Sequence, residues 1–414
     1  MSNVENESPT RSAAPGTFFR LSAAASTAAV GLVVGSAVLD LGTTHWGIAA
    51  VALPLLIANA ITAYFAYPSL FRRTVATLGA FVIAVALGGV VARSGDAAWA
   101  VALHVGAAGV ALGLALLVLG GALRGAPVPL ASARDYVTLT KPAIMALLLL
   151  TGAAGMFVGA QGVPQLGLFV VSMLGLALAC GGASALNHVL DRDIDRLMGS
   201  RTKSRPVASG RVAPEQAVEF GLFLSALSFA LLASAVNLLT AILALFGNLF
   251  YVIVYTRWLK RSTPQNIVIG GAAGAVPPVV GYAAASGSLA LPALWLFLIV
   301  FLWTPPHFWA LALMIKTAYA NAGVPMLPVV RGDRETARQI LLYSIGMVAF
   351  TVAVGLWLGP LYTAAAVALG AVFLALAFLL RRDLGKARAR TLFNYSLVYL
   401  ALLFTAAALD PVIL

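Results

Sequence analysis

Apolar runs separated by short polar or Pro/Gly-marked breaks recur along the whole chain. Each is about 20 residues long and almost free of ionisable groups, the length a helix needs to cross ~30 Å of hydrocarbon. Thirteen such runs stand near 18–39, 47–68, 74–92, 97–123, 142–160, 166–190, 214–235, 237–256, 267–286, 290–315, 338–358, 361–380 and 391–409. Lipid offers no partner for open backbone groups, so these runs are helices, and the ten-residue alternation of a transmembrane barrel is missing. The pattern predicts an all-α, polytopic membrane protein. Residues 1–17 are polar and lack the basic-then-apolar-then-small order of a cleaved signal, so they read as a disordered cytoplasmic tail.

Charge sets the orientation. The net charge of +12 raises nucleic acid as a partner until the positive residues are placed along the chain. With the N-terminus in the cytoplasm, every Lys and Arg except Arg93 falls on the cytoplasmic side. The turns AQGVPQLG, NLLT, SGSLALP and LGPLY then lie outside and carry no charge. This is the positive-inside asymmetry, so the basicity reflects topology and no nucleic acid is expected. The C-terminus is expected outside, and the lipid bilayer, read as a prokaryotic plasma membrane, is the surrounding partner. Cys180 is the only cysteine, which excludes a disulfide framework and leaves it as a small helix-packing residue.

Residues 124–135, RGAPVPLASARD, interrupt the spans with Pro, small and charged residues and read as a linker. They divide a four-helix membrane region at 18–123, nearly devoid of polar groups, from a block at 136–414 that carries nine spans and every informative motif.

Within that block, NHVLDRDIDRLMGSRTKSRPVASG (187–210) places three aspartates in five positions, in a chain with only 14 Asp and Glu. Asn187, Asp191 and Asp195 are spaced i, i+4, i+8, so their oxygens stack on one face if the helix winds on past Leu190. Asp193 points elsewhere. Oxygen ligands on one face suit a hard divalent cation such as Mg²⁺, which takes a couple of carboxylates plus water and phosphate oxygens. A cation there would also relieve carboxylates placed against the negative end of a helix. Arg196, Arg201, Lys203, Arg205 and Arg211 follow at once, so the stretch describes a receptacle for a metal–diphosphate. A calcium loop is excluded because Arg196 occupies the position that needs glycine.

The next cytoplasmic loop, YTRWLKRSTPQN, brings Tyr251, Tyr255, Arg257, Lys260 and Arg261, either as an ordinary basic loop with an aromatic belt or as a second wall of the same site. The Gly/Ala-rich span IVIGGAAGAVPPVVGYAAASG allows close helix approach or a flat ligand on exposed backbone. In FLWTPPHFWALAL, Pro305 and Pro306 are expected to break the helix, and His307 lies within an apolar run, where an ionisable group is a functional candidate or a structural hydrogen bond.

The NxxxDxxxD motif followed by RTKSRP resembles the UbiA superfamily of membrane prenyltransferases. The strings LTKP (139–142), YTxxLKRxTPxNIVIGGAAGAxPP (255–278), WTPPHFWALA (303–312) and AGVPMLPVV (322–330) are similar to the protohaem IX farnesyltransferases, or haem O synthases, within it. The resemblance covers roughly 135–410 and implies a nine-helix bundle that transfers a farnesyl group from farnesyl diphosphate to a vinyl group of protohaem IX. It implies that Asn187, Asp191 and Asp195 hold Mg²⁺, that Arg201, Lys203 and Arg205, helped by Lys260 and Arg261, neutralise the diphosphate, and that Tyr251 or Tyr255 stabilises the allylic cation. Trp303 and His307 are the candidates for the haem side. Haem A synthase or oxidase assembly proteins are the implied partners.

Two departures stand out. KTAYANAGVPMLP lacks the carboxylate expected just before its Tyr, so the metal relies on the first motif or on Asp333 and Glu335, and Ala143 stands where Arg is common after LTKP. In the N-terminal region His104 sits within an apolar run that faintly resembles half of a haem A synthase, either as a haem ligand or as a packing residue. The rival readings are a prenyltransferase for a quinone precursor, a chlorophyllide or an archaeal lipid, and a secondary transporter, which should carry ionisable groups near midplane in both halves.

Overall fold

The computed structural model describes residues 17–38, 43–94, 98–124 and 131–413. Apart from Thr17, the expected tail lies outside the described residues, as do residues 125–130 of the expected linker. The chain divides into two compact units, Met1–Leu130 and Ala131–Leu414.

The first unit consists of α1 (Thr17–Val38), α2 (Thr43–Ala66), α3 (Pro68–Ser94) and α4 (Ala98–Arg124). Each helix packs on its sequence neighbour and α1 also packs on α4, closing a four-helix arrangement. Val30, Val33, Ala52, Leu56, Phe81 and Ala111 fill one layer of its core. Hydrogen bonds between helices supply the polar glue that membrane bundles use: Asn59 donates to Ser26 Oγ at 2.6 Å and Thr27 to the Ala115 carbonyl at 3.2 Å. His104 is buried, with Nδ1 2.7 Å from the Ala84 carbonyl, a contact that ties α4 to α3.

The second unit opens with α5 (Ala133–Leu139), capped by Ser132, whose hydroxyl accepts from the Asp135 N–H. Thus the last three residues of the expected linker are already helical. Then follow α6 (Pro142–Ala160), α7 (Leu166–Leu190), the short α8 (Arg192–Leu197) and α9 (Ser200–Lys203), and α10 (Pro214–Ala235). α11 (Leu238–Leu249) runs through a ten-residue π-helical stretch, Phe250–Leu259, into α12 (Lys260–Ser262), all as one span. The remainder is α13 (Asn266–Ser286), α14 (Leu291–Met314), the short α15 (Lys316–Asn321), α16 (Leu327–Leu358), α17 (Pro360–Arg382) and α18 (Lys386–Ile413). Eleven helices among the described residues are long and apolar enough to cross a membrane, while α1 and α2 carry shorter apolar stretches, Arg20–Val34 and Ala52–Ala63.

α6 and α13 are shared walls. On one side the contacts run α6, α7, α10, α11, α13, and on the other α13, α14, α16, α17, α18 and back to α6. The two shared helices meet backbone to backbone, because Gly152, Gly155 and Gly159 lie over the carbonyls of Pro277, Pro278 and Tyr282, and a Cβ on Gly159 would stand 2.6 Å from the Tyr282 carbonyl oxygen. The glycines of α6 and α13 therefore serve close helix approach. The expected break at Pro305–Pro306 does not occur: α14 continues through that pair and α13 through Pro277–Pro278. In lipid a broken helix would expose more backbone than the few hydrogen bonds that proline removes.

Candidate active site

The polar site lies where α7 ends. Asp191 departs from helical geometry (φ −90°, ψ 1°), which separates α7 from α8, yet the Asp191 N–H still donates to the Asn187 carbonyl and the Asp195 N–H to the Asp191 carbonyl, both at 2.8 Å. The i, i+4, i+8 register of the three side chains survives the break, and all three are buried.

Each meets a cation from a different part of the chain. Lys260 Nζ lies 2.6 Å from Asp191 Oδ2, Arg205 Nη1 2.6 Å from Asp195 Oδ1, and Lys141 Nζ 2.6 Å from Asn187 Oδ1. The Asn187 amide donates to Asp191 Oδ2 at 2.9 Å and to Thr256 Oγ1 at 3.0 Å, so Asn187 positions Asp191. The opposite oxygens, Asp191 Oδ1 and Asp195 Oδ2, are buried and have no partner. Burial, only partly offset by Arg205, holds the Asp195 carboxyl above the usual carboxylate range.

Lys141 occupies the turn between α5 and α6 with φ 51° and ψ 62°, a left-handed conformation rare for a non-glycine residue and disfavoured before Pro142. Such strain persists only where the surroundings impose it. Burial, reinforced by the Arg205 charge, lowers its ammonium pKa to about 7.

The loop after α8 is built around its remaining basic residues. Arg196 donates to the Ala208 carbonyl, and Arg211 bridges Asp135 on α5, Ser209 and the Ser204 carbonyl. Arg261, expected on the diphosphate, instead holds both oxygens of Asp193 at 2.7 Å and the Leu190 carbonyl at 2.5 Å, clamping the end of α7. Those bonds depress the Asp193 carboxyl to about 2. Lys203 is exposed and forms no ion pair among the described residues, and the side chain of Arg201 lies outside those described.

The π-helical stretch sets Tyr251 and Tyr255 in a stack, centroids 5.5 Å apart, within electrostatic reach of Asp191. Tyr255 also lies flat over Gly270, where any side chain would displace the ring. Tyr319 on α15 joins this set: it is buried, close enough to sense Arg205 and Asp191, and burial pushes its phenol up to about 12. Asp333 and Glu335 do not reach the carboxylates; Asp333 pairs with Lys316 at 2.8 Å, and Glu335 bonds Gln339 and Arg338. Trp303 and His307 are fixed by helix packing. Trp303 donates to the Ser396 carbonyl at 2.8 Å, and the His307 ring stacks between Trp303 and Phe393 with Nδ1 2.6 Å from Ser396 Oγ.

Sequence reasoning did not assign Lys141, Thr256 or Tyr319 to the site. Lys141 had a signal, a lone cation before a helix-opening proline, whereas nothing in the sequence marks the π-helical rotation that turns Thr256 inward.

Residues 148–403 match the UbiA prenyltransferase family. Over 282 residues, 67% of this chain and 94% of the relative, the sequence is 55% identical to a protoheme IX farnesyltransferase of Symbiobacterium thermophilum. It is 51% identical over 283 residues, 68% of this chain and 53% of the relative, to one of Roseiflexus sp. strain RS-1. In fold it is similar to a solved structure described for digeranylgeranylglyceryl phosphate synthase in membranes, with TM-score 0.57, 18% identity, and coverage of 68% of this chain and 99% of that one. The matched segment, the register of buried carboxylates at the end of α7 and the extent of identity together mean that this chain belongs to the UbiA prenyltransferase family.

Proposed function

We propose that this protein transfers the farnesyl group of farnesyl diphosphate to a vinyl group of protohaem IX, forming haem O. Two relatives at about half identity are named protoheme IX farnesyltransferase. The observation that carries the reading is the pair of buried carboxylate oxygens, Asp191 Oδ1 and Asp195 Oδ2, left unpartnered while their opposite oxygens each hold a cation.

No cluster of three or more His, Cys, Asp or Glu exists among the described residues, which fits a hard, phosphate-sharing ion better than one held wholly by protein. Asp191 and Asp195 would hold Mg²⁺, which when bound supplies charge neutralisation on the departing diphosphate. Lys141, Lys260 and Arg205 supply three formal positive charges against two carboxylates. With a divalent cation that balance is suited to a prenyl diphosphate of about three negative charges. The three cations hold the diphosphate oxygens as the C–O bond breaks, and their effect is large because the site is buried. The stacked faces of Tyr251 and Tyr255 stabilise the allylic cation before the electron-rich vinyl carbon attacks it; diphosphate leaves, and the cation left on the neighbouring carbon takes up the hydroxyl of a water, whose proton is released. The α7 end is the cytoplasmic face, so both substrates enter from that side, with the N-terminus inside and the C-terminus outside.

Purified protein incubated with farnesyl diphosphate, Mg²⁺ and protohaem should give a product heavier by one farnesyl group and one hydroxyl, and EDTA should abolish it. Transfer to a quinone precursor, with none to protohaem, would replace this reading by that of a sister enzyme.

A further inference from the structure

His188 follows Asn187 on α7, is 2% exposed, and neither of its ring nitrogens has a hydrogen-bond partner. An imidazole always carries at least one N–H donor, and a buried polar group left unpaired is unfavourable, so an apolar side chain would fill this position better unless something else binds there. Its surroundings indicate what. One turn earlier on the same face, Ser184 donates to the Leu139 carbonyl at 2.7 Å, and a Cβ on Gly181 would lie 3.2 Å from Thr140, so this face of α7 looks onto the strained turn that carries Lys141. The charges that act on His188 are Lys141 and Arg205, the two cations that hold Asn187 and Asp195. The imidazole therefore stands in an electropositive, water-poor corner of the carboxylate site.

We propose that His188 is a diphosphate-binding residue whose ring N–H donates to a phosphate oxygen held beside Lys141 and Arg205. The assignment rests on the diphosphate reading of the site. It uses a hydrogen bond of the imidazole and needs no change of its charge. An anion satisfies at once a donor that the protein leaves unpaired and a cation pair that the carboxylates only half neutralise. A haem propionate has the same acceptor chemistry, so the test separates the two anions.

The full-length protein in detergent is titrated calorimetrically with inorganic pyrophosphate plus Mg²⁺ and, separately, with protohaem, for the wild type, His188→Leu and His188→Gln, with thermal unfolding followed in parallel. His188→Leu should weaken pyrophosphate by ~10–100-fold, as expected for a lost hydrogen bond to a charged group, and raise KM for farnesyl diphosphate. Its protohaem affinity should be unchanged and its melting temperature equal to or above that of the wild type. His188→Gln, which keeps a donor and an acceptor, should recover most of the loss. Unchanged pyrophosphate affinity in a folded His188→Leu protein overturns the assignment, as does loss of protohaem affinity with pyrophosphate binding intact. If His188→Leu does not fold, His188→Asn is read by the same criteria. Failure of the wild type to bind pyrophosphate overturns the diphosphate reading itself and this assignment with it.

Discussion

Replacing Asp191 by Asn separates what its carboxylate does for the fold from what it does for the chemistry. Lys260 Nζ is 2.6 Å from Asp191 Oδ2, and both side chains are buried, at 10% and 2% exposure. At an effective dielectric of 20 the direct attraction is about 6 kcal/mol, most of it offset by removing both charges from water. The amide is isosteric with the carboxylate and would leave Lys260 as an uncompensated buried cation, a change that costs on the order of 3–5 kcal/mol. Lys260→Met in the same chain removes that cation, so the double variant should recover most of the lost stability. Activity should behave differently. Asp191 Oδ1 belongs to the proposed metal site and Lys260 to the diphosphate, so the single variant should lose ~10²–10³-fold in turnover and the double variant should not regain it. Thermal unfolding in detergent and mass-resolved formation of farnesylated protohaem measure the two effects independently. Wild-type turnover in Asp191→Asn, or recovery of turnover together with stability in the double variant, would refute the metal assignment and leave Asp191 as a structural counter-ion only.

Anion binding should draw Lys141 into its charged form, so affinity for pyrophosphate should fall as pH rises above about 7, and calorimetry on Lys141→Met should lose that dependence. The sign for stability is opposite: the folded pKa of Lys141 lies below its unfolded value of 10.5, the unfolded chain holds the extra proton, and the ligand-free protein should become more stable between about 7 and 10.5. Tyr255→Phe should retain most activity and Tyr255→Leu should lose ~3–30-fold if the ring face is what matters, read as kcat at saturating substrates. In a Cys180→Ala background, single cysteines placed at Lys203 and Val163 should be labelled from opposite sides of sealed vesicles, and labelling from the same side would refute the topology.

The spans were legible because lipid enforces them: α6, α7, α10, α13 and α17 begin and end within a few residues of the apolar runs that announce them. Legible too was the register of Asn187, Asp191 and Asp195, which is a matter of helical spacing alone. Partner choice was not. Arg261 and Lys260 are adjacent in sequence and alike in charge, yet Lys260 turns inward to Asp191 while Arg261 turns to Asp193 and the Leu190 carbonyl. Neighbours on a helix point in different directions, and FYVIVYTRWL, the π-helical stretch before them, gives no compositional cue to which one faces the carboxylates. Similarly, His307 reads in sequence as an unexplained intramembrane histidine, and only the packing of α14 against α18 supplies Phe393 and Ser396 as its neighbours.

The same contrast explains why Asp193 is present at all. Three aspartates crowd the end of one helix, with Asp193 off the face that the other two share; it is exposed and its bonds go to Arg261, which also caps the open carbonyl end of α7. Arg261 thus joins the carbonyl end of α7 to Asp193 in α8 across the break at Asp191, while the Asp195 N–H still reaches the Asp191 carbonyl. Asp191 and Asp195 thereby stay in register with the oxygens that face no protein group. On the proposed function the inward pair and the outward one divide the work: Lys260 and Arg205 would hold the two buried carboxylates until a metal–diphosphate competes for those cations, and Arg261 would hold the helix end beside them. If that division is right, Arg261→Met should lower stability and loosen the geometry, seen as a raised KM for farnesyl diphosphate with Mg²⁺ affinity falling in step. Asp193→Asn should give a smaller version of the same change, because Arg261 retains the Leu190 carbonyl.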